Sequence, residues 1–543
     1  MLIPAINRIK YYLSDKKVSF AVVAITIAAR IIQLIFLYNI RVDRMYQVIA
    51  MQNFVDGHGI SLSKVLPADL SVTVYEPLIN WPPGYSVLLS PFYILFKHNY
   101  ILAGLTLDIL AAIMLIFICR RILQVLESPV YLVNIFTFLT GFFIYYFYVI
   151  ASTDSVAITF FMTAVYFTLL VLKKGKSSVQ TTTAIIIFLF LAGFIKYLFI
   201  PVLFVIPVFL FLKGYGEKKQ AVKKTGIISF LCLAFSLIAV LLYQKYTGGS
   251  AIYISEPTRG FFPKNLLVAW PTYPASLIKP ETLAMLFPGT ATSALKIFQC
   301  IHVVLFGGAF IFILRRIRKS GFKGLSTTGS FFYLLFFLSA AITFLLIFLS
   351  LRVAKEEFLP GNWWTYVEEP RYYGLVNVML HIAVFLIYQY YRLNRSTFIK
   401  YAFMSLLLLM IPETFRGIIF TANRVTQVNR EEYSWQFEHS IQQYADAIIQ
   451  KEKETHPGEK VVVTGSSYYT YYRAGIYSHI PALTESNKIN DLSSLNSSKP
   501  IVLIIILMER DFPYYQPFLS AKEKELAGYF RGFYFYTTHV NAH

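Results

Sequence analysis

Charge is what this chain has least of. Only 14% of its 543 residues are Asp, Glu, Lys or Arg, too few to cover the surface of a soluble domain of that length. Acids are scarcer still, 29 against 49 bases, for a net charge of +20. The three cysteines, Cys119, Cys232 and Cys300, lie in or beside apolar runs. They offer no disulfide framework and no metal-ligand spacing. Walker, Rossmann, zinc-protease and nucleophile-elbow motifs are missing at plausible positions, which excludes the nucleotide-binding and hydrolase classes those motifs mark. Tandem repeats and low-complexity segments are missing too.

What is present is apolar length. The chain is 56% hydrophobic and 17% aromatic, and runs of roughly 18 or more apolar residues recur, each able to cross a bilayer core. It reads as an integral membrane protein with about eleven spans, at 18–39, 99–119, 130–150, 155–172, 181–196, 198–213, 226–246, 293–314, 329–351, 373–391 and 400–420. The first span is expected to be retained, because no small-residue cleavage site follows it before Asp43. The short stretch 84–98 is either an interfacial helix or an extension of the second span. Spans five and six are open between two helices and one bent helix.

The excess positive charge sits in short tracts between spans, such as Arg120–Arg121, Lys213 to Lys224 and Arg315 to Lys319. These fall in alternate loops, so the charge is a topology signal rather than a nucleic-acid surface. The expected topology has a cytoplasmic N-terminus and an extracytoplasmic C-terminus, in a bacterial inner membrane. Residues 1–420 form the membrane module, with outer loops 40–98, 247–292 and 352–372. Residues 421–543 form a small α/β domain: an amphipathic helical pattern over 430–453, then strand-like runs at Val461–Val463, Ile501–Leu507 and Phe533–Tyr536.

Chemistry is expected at the outer face. The first loop starts with Asp43, runs through Tyr46 and His58, and closes with Tyr75-Glu76-Pro77 and Trp81-Pro82-Pro83-Gly84-Tyr85. With about forty polar-loop residues it is far longer than a connection needs to be. Asp154 lies in the tight turn between spans three and four. Asp43, Glu76 and Asp154 could each act as a base or hold a cation, or mark a membrane boundary; Asp154 also suits a helix N-cap. Lys196 interrupts the apolar run Ala192 to Leu198, a pattern that marks either a functional site or a snorkelling lysine. Arg371 stands on the outer side against the charge rule, and Arg259 and Lys264 lie in loop 247–292. His58, between two glycines, is open between loop residue and ligand.

These residues together resemble the GT-C glycosyltransferases, in particular the family-39-like set of protein O-mannosyltransferases and aminoarabinose transferases of lipid A. The likeness covers roughly residues 1–420 in layout. It is carried by 43–92, with its acid after the first span and Pro-Pro-Gly-Tyr segment, by 151–155, and by Arg371-Tyr372-Tyr373. The resemblance implies a polyprenyl-phosphate-linked sugar as donor and a lipid, glycan or protein as acceptor. It implies Asp43 as catalytic acid/base, with Glu76 and Asp154 lining the site or holding a divalent metal. Lys196 and Arg371 match donor-phosphate contacts, and Arg44 and Arg259 are further cations for that phosphate. Tyr46, His58, Tyr85 and Tyr372 are expected to line the substrate cavity. One departure is visible: the family often carries a second acid directly after the first, and here that position is Arg44. The competing class is a transporter or flippase, but no internal symmetry supports it.

Overall fold

The computed structural model describes residues 10–37, 42–79, 81–143, 153–249, 260–267, 273–289, 291–353, 372–394, 397–426, 435–466, 479–484, 494–519 and 525–542. The chain divides into two compact units. One comprises Met1–Leu34, Asp108–Val240 and Ile254–Val428; the other comprises Ile35–Leu107, Leu241–Tyr253 and Asn429–His543.

The first unit is helical. Each expected span overlaps a helix, the third over Val130–Gly141 with 144–150 outside the described residues, and seven helices among the described residues are long and apolar enough to cross a membrane. Spans five and six are separate helices, Val179–Ile195 and Ile200–Gly216. The Thr153–Lys174 span is 78% buried and the Lys296–Ser320 span 11% buried, so the former is enclosed by other helices and the latter faces outward. Hydroxyls along the enclosed helix satisfy themselves on carbonyls one turn back, as Thr163 does on Thr159 and Thr168 on Ala164. Thr159 also donates to Ala111, 3.2 Å away on the Tyr100–Val125 helix. The Val130–Gly141 helix ends against a buried Arg30, which donates to the carbonyls of Thr140 (2.6 Å) and Phe143 (3.3 Å) and so fills helix-end acceptors. The Thr397–Thr426 helix comes so close here that a Cβ on Gly417 would overlap the Phe142 carbonyl oxygen. Gly417→Ala is therefore expected to destabilise the protein by about 1–3 kcal/mol, as overpacking does; a thermal melt in detergent checks it.

The second unit combines the first loop with the tail. The loop is not irregular. It contains a helix, Val42–Val55, a hairpin of strands β1 (Ser61–Leu66) and β2 (Asp69–Pro77), and the helix Gly84–Leu95. The tail carries the helix Trp435–Thr455 and strands β3 (Lys460–Gly465), β4 (Ile501–Met508), β5 (Glu525–Phe530) and β6 (Phe533–Val540), in the order β3-β4-β6-β5. β3 and β4 run parallel and the other pairs antiparallel. All three expected strands are present; β5 was not anticipated. β4 is an unbroken apolar run because it is central and buried on both faces.

The hairpin and the tail share one core. Val65 and Leu70 pack with Val462, Leu503, Ile505 and Leu507, and Ala482 bridges both β1 and β3. Lys460 donates to the carbonyls of Leu70 and Ser71. Asp69 accepts from the backbone N–H groups of Ser71 and Ser498, each at 3.0 Å. Those bonds hold its carboxyl well below the ordinary 3.8. A depressed carboxylate stabilises the fold above its unfolded value and loses that contribution as pH falls through the folded one. Asp69→Ala is thus expected to speed hydrogen exchange across β1 and β2 at pH 7, with the difference shrinking in strong acid.

Candidate functional site

Among the described residues, two ion pairs of the first unit are largely buried: Lys213–Glu217, local to one helix end, and Lys196–Asp154, which joins two helices. Lys196 Nζ lies 3.0 Å from Asp154 Oδ1, with side chains 10% and 0% exposed. The backbone explains the position of each. The Val179–Ile195 helix stops at Lys196, which is extended (φ −140°, ψ 108°) before a short 3-10 turn at Tyr197–Phe199. Asp154 occupies the first turn of Thr153–Lys174, where the helix dipole favours a carboxylate. Lys196 therefore does not snorkel. Buried charges hold only when paired, and this pair is two ions of opposite sign joined at a helix break. An anion reaching the ammonium would meet a cation already oriented by Asp154.

Tyr372 is half-buried, two residues before the Gly374–Asn394 helix, and its neighbour Tyr373 is buried edge-on to Tyr273. Arg371 and Arg259 lie outside the described residues. Sequence reasoning passed over other buried polar groups of this unit: Asp108, Asn377, His381 and Glu413. His381 Nε2 is 2.9 Å from the Ser276 carbonyl. Glu413 accepts from the Lys279 N–H (2.8 Å), at the start of the helix Pro280–Leu286. Asp108, His381 and Glu413 are ionisable residues inside apolar runs, the same signal that had singled out Lys196.

In the second unit, Asp43 is the second residue of the Val42–Val55 helix; its side chain lies outside the described residues. Arg44 beside it is fully buried. One turn on, Tyr46 stacks on Trp81 with centroids 4.4 Å apart. Gln47 fastens the Pro-Pro-Gly-Tyr segment: it donates to Pro82 O (2.9 Å) and its carbonyl accepts from Ser86 Oγ (2.8 Å). Tyr85 is buried as a result. His58 lies in a turn whose flanking Gly57 and Gly59 have φ of +86° and +71°, values that glycine alone adopts without cost. Its ring stacks on Tyr75 at 3.8 Å. Beyond the helix, His479 from the tail reaches Asp56 Oδ2 (3.0 Å) and Asn53 Oδ1 (3.3 Å). Burial lowers the His479 pKa from its ordinary value, against the pull of Asp56.

Glu76 is more than half exposed and forms an ion pair with Lys64 across the hairpin. Glu76 and Asp154 were the two residues expected to hold a metal. Each carboxylate already has a lysine ammonium against it, the charge a metal would otherwise supply. No step is assigned to a metal at either carboxylate.

No protein-family model matches the chain, and no curated protein matches its sequence. Solved structures do. ArnT from Cupriavidus metallidurans, crystallised bound to undecaprenyl phosphate, superposes with a TM-score of 0.50 at 11% identity, over 95% of this chain and 97% of that one. The same protein in its apo state gives 0.51 at 11% identity with the same coverage. An oligosaccharyltransferase from Archaeoglobus fulgidus, crystallised with Zn and sulfate, gives 0.48 at 12% identity over 92% of this chain and 69% of its own. The two ArnT structures match over nearly the whole chain, and the chain has their fold.

Proposed function

We propose that this protein is a membrane glycosyltransferase that moves a sugar from a polyprenyl-phosphate donor to an acceptor at the outer face of the membrane. The observation that carries the reading is the buried Lys196–Asp154 pair, in a chain with the fold of a protein crystallised bound to undecaprenyl phosphate. A lipid-linked donor needs no nucleotide pocket, which accords with the missing phosphate-loop motifs. Its isoprenoid tail lies along apolar helices, and its phosphate is met by a cation.

The roles follow from chemistry. Lys196, aided by Arg371, stabilises the charge that grows on the departing polyprenyl phosphate. Asp154 positions the Lys196 ammonium rather than acting as a base. Asp43 takes the proton from the acceptor as its heteroatom bonds to the anomeric carbon and the carbon–phosphate oxygen bond breaks. One such displacement inverts the anomeric centre. The buried Arg44 and the stacked Tyr46 and Trp81 shape the end of the helix that carries Asp43.

The test is transfer by purified protein in lipid, offered a panel of polyprenyl-phosphate sugars and an envelope extract. Stoichiometric release of polyprenyl phosphate with labelled acceptor supports the reading. Counterflow of intact donor without cleavage would replace it with transport.

A further inference from the structure

Outside every residue used above, four side chains of the tail converge at one end of its sheet. Glu452 and His456 are four residues apart at the end of the Trp435–Thr455 helix, on one face. Glu459 sits in the turn before β3, and His539 on β6. One donor atom from each of Glu452, His456 and His539 lies within 4.8 Å of the others. The two imidazoles are 4.2 Å apart between centroids. Glu459 faces both rings, 3.4 Å from His539 Nδ1 and 3.9 Å from His456 Nδ1. The Glu452 side chain is only 11% exposed, and its carboxylate meets His456 Nε2 at 4.0 Å, beyond hydrogen-bond reach.

We propose that Glu452, His456 and His539 bind one divalent transition-metal ion, with Zn2+ the best match, and that Glu459 orients the histidine rings. Three points support it. Two imidazoles and a carboxylate are an intermediate-to-hard donor set suited to Zn2+. The Glu452 carboxylate, on a side chain only 11% exposed, has His456 Nε2 no nearer than 4.0 Å, and an ion between them would draw the two together. Tetrahedral Zn2+ holds its ligands about 3.3 Å apart, so closure from the present spacing asks for side-chain adjustments of about 1 Å. The ion would tie the last turn of the helix to β6, elements that otherwise meet through side-chain packing. Its role is to clamp the tail domain, not to take part in transfer.

The experiment is titration of the full-length, metal-stripped protein in detergent with ZnCl2, read by calorimetry and by hydrogen exchange. The expected result is one equivalent bound per chain, with slowed exchange over 452–459 and 533–540. His456→Ala and His539→Ala are each expected to weaken that binding at least tenfold, while Asp154→Asn leaves it unchanged. Co2+ substituted for Zn2+ should give a tetrahedral visible spectrum that both histidine variants lose. Absence of stoichiometric binding to wild type, or binding indifferent to both variants, overturns the proposal.

Discussion

Asp43→Asn is expected to lower sugar transfer by about 10²- to 10⁴-fold, the usual worth of a positioned general base. The substitution keeps the side chain's size and removes only its ability to take a proton. KM for the donor should therefore change little, and kcat should carry the loss. Asp43 sits in a regular helix whose neighbours Tyr46 and Gln47 are held by stacking on Trp81 and by bonds to Pro82 and Ser86. A variant at the helix start should thus fold as wild type does. Transfer at the wild-type rate by a normally folded Asp43→Asn protein would remove Asp43 from the mechanism.

Lys196→Met is expected to cost about 3–5 kcal/mol of stability, because it leaves a buried carboxylate without its counter-ion. Asp154→Asn leaves the ammonium in the same position and should cost a comparable amount. The double variant Lys196→Met/Asp154→Leu replaces both charges by an apolar pair of similar volume and should recover most of the loss, since such a pair often equals a buried ion pair. Function separates the two roles of the pair. If Lys196 meets the donor phosphate, the double variant melts near the wild-type temperature yet does not bind undecaprenyl phosphate. If the pair is only structural, the double variant regains binding along with stability. Thermal melting and lipid-phosphate binding on the same four proteins decide it.

Much of the fold was legible because a bilayer permits few solutions. An apolar run of sufficient length is a helix wherever it falls, so the spans could be read from composition alone. The tail strands were legible for a similar reason: Ile501–Leu507 is too short to span and too apolar to be exposed. Lys196 was legible as an interruption. Its partner was not, because Asp154 is 42 positions away and only the packing of two helices brings the charges together. Arg120 was read as a topology charge, yet it is buried and donates to Asn134, Thr137 and Ser19. A charge at a span end has the same sequence signature whether it faces water or a neighbouring helix. The first loop hid its order for another reason. The Val42–Val55 helix mixes polar and apolar residues, and the β1–β2 hairpin finds its apolar partners hundreds of residues later.

That separation sets a schedule for biogenesis. Ser71 and Ser498, whose hydroxyls meet at 2.8 Å, are 427 positions apart in the chain. At ordinary rates of synthesis the hairpin waits roughly 20–85 s for the tail to be translated. Through that interval Val65 and Leu70 have no core to enter, while helices are threaded into the bilayer behind them. A ribosome that stalls before β4 leaves Val65 and Leu70 without the side chains that cover them, the kind of exposed apolar surface that chaperones bind. The core over Val65 and Leu70 therefore closes only after the strands β3, β4 and β6 have been made.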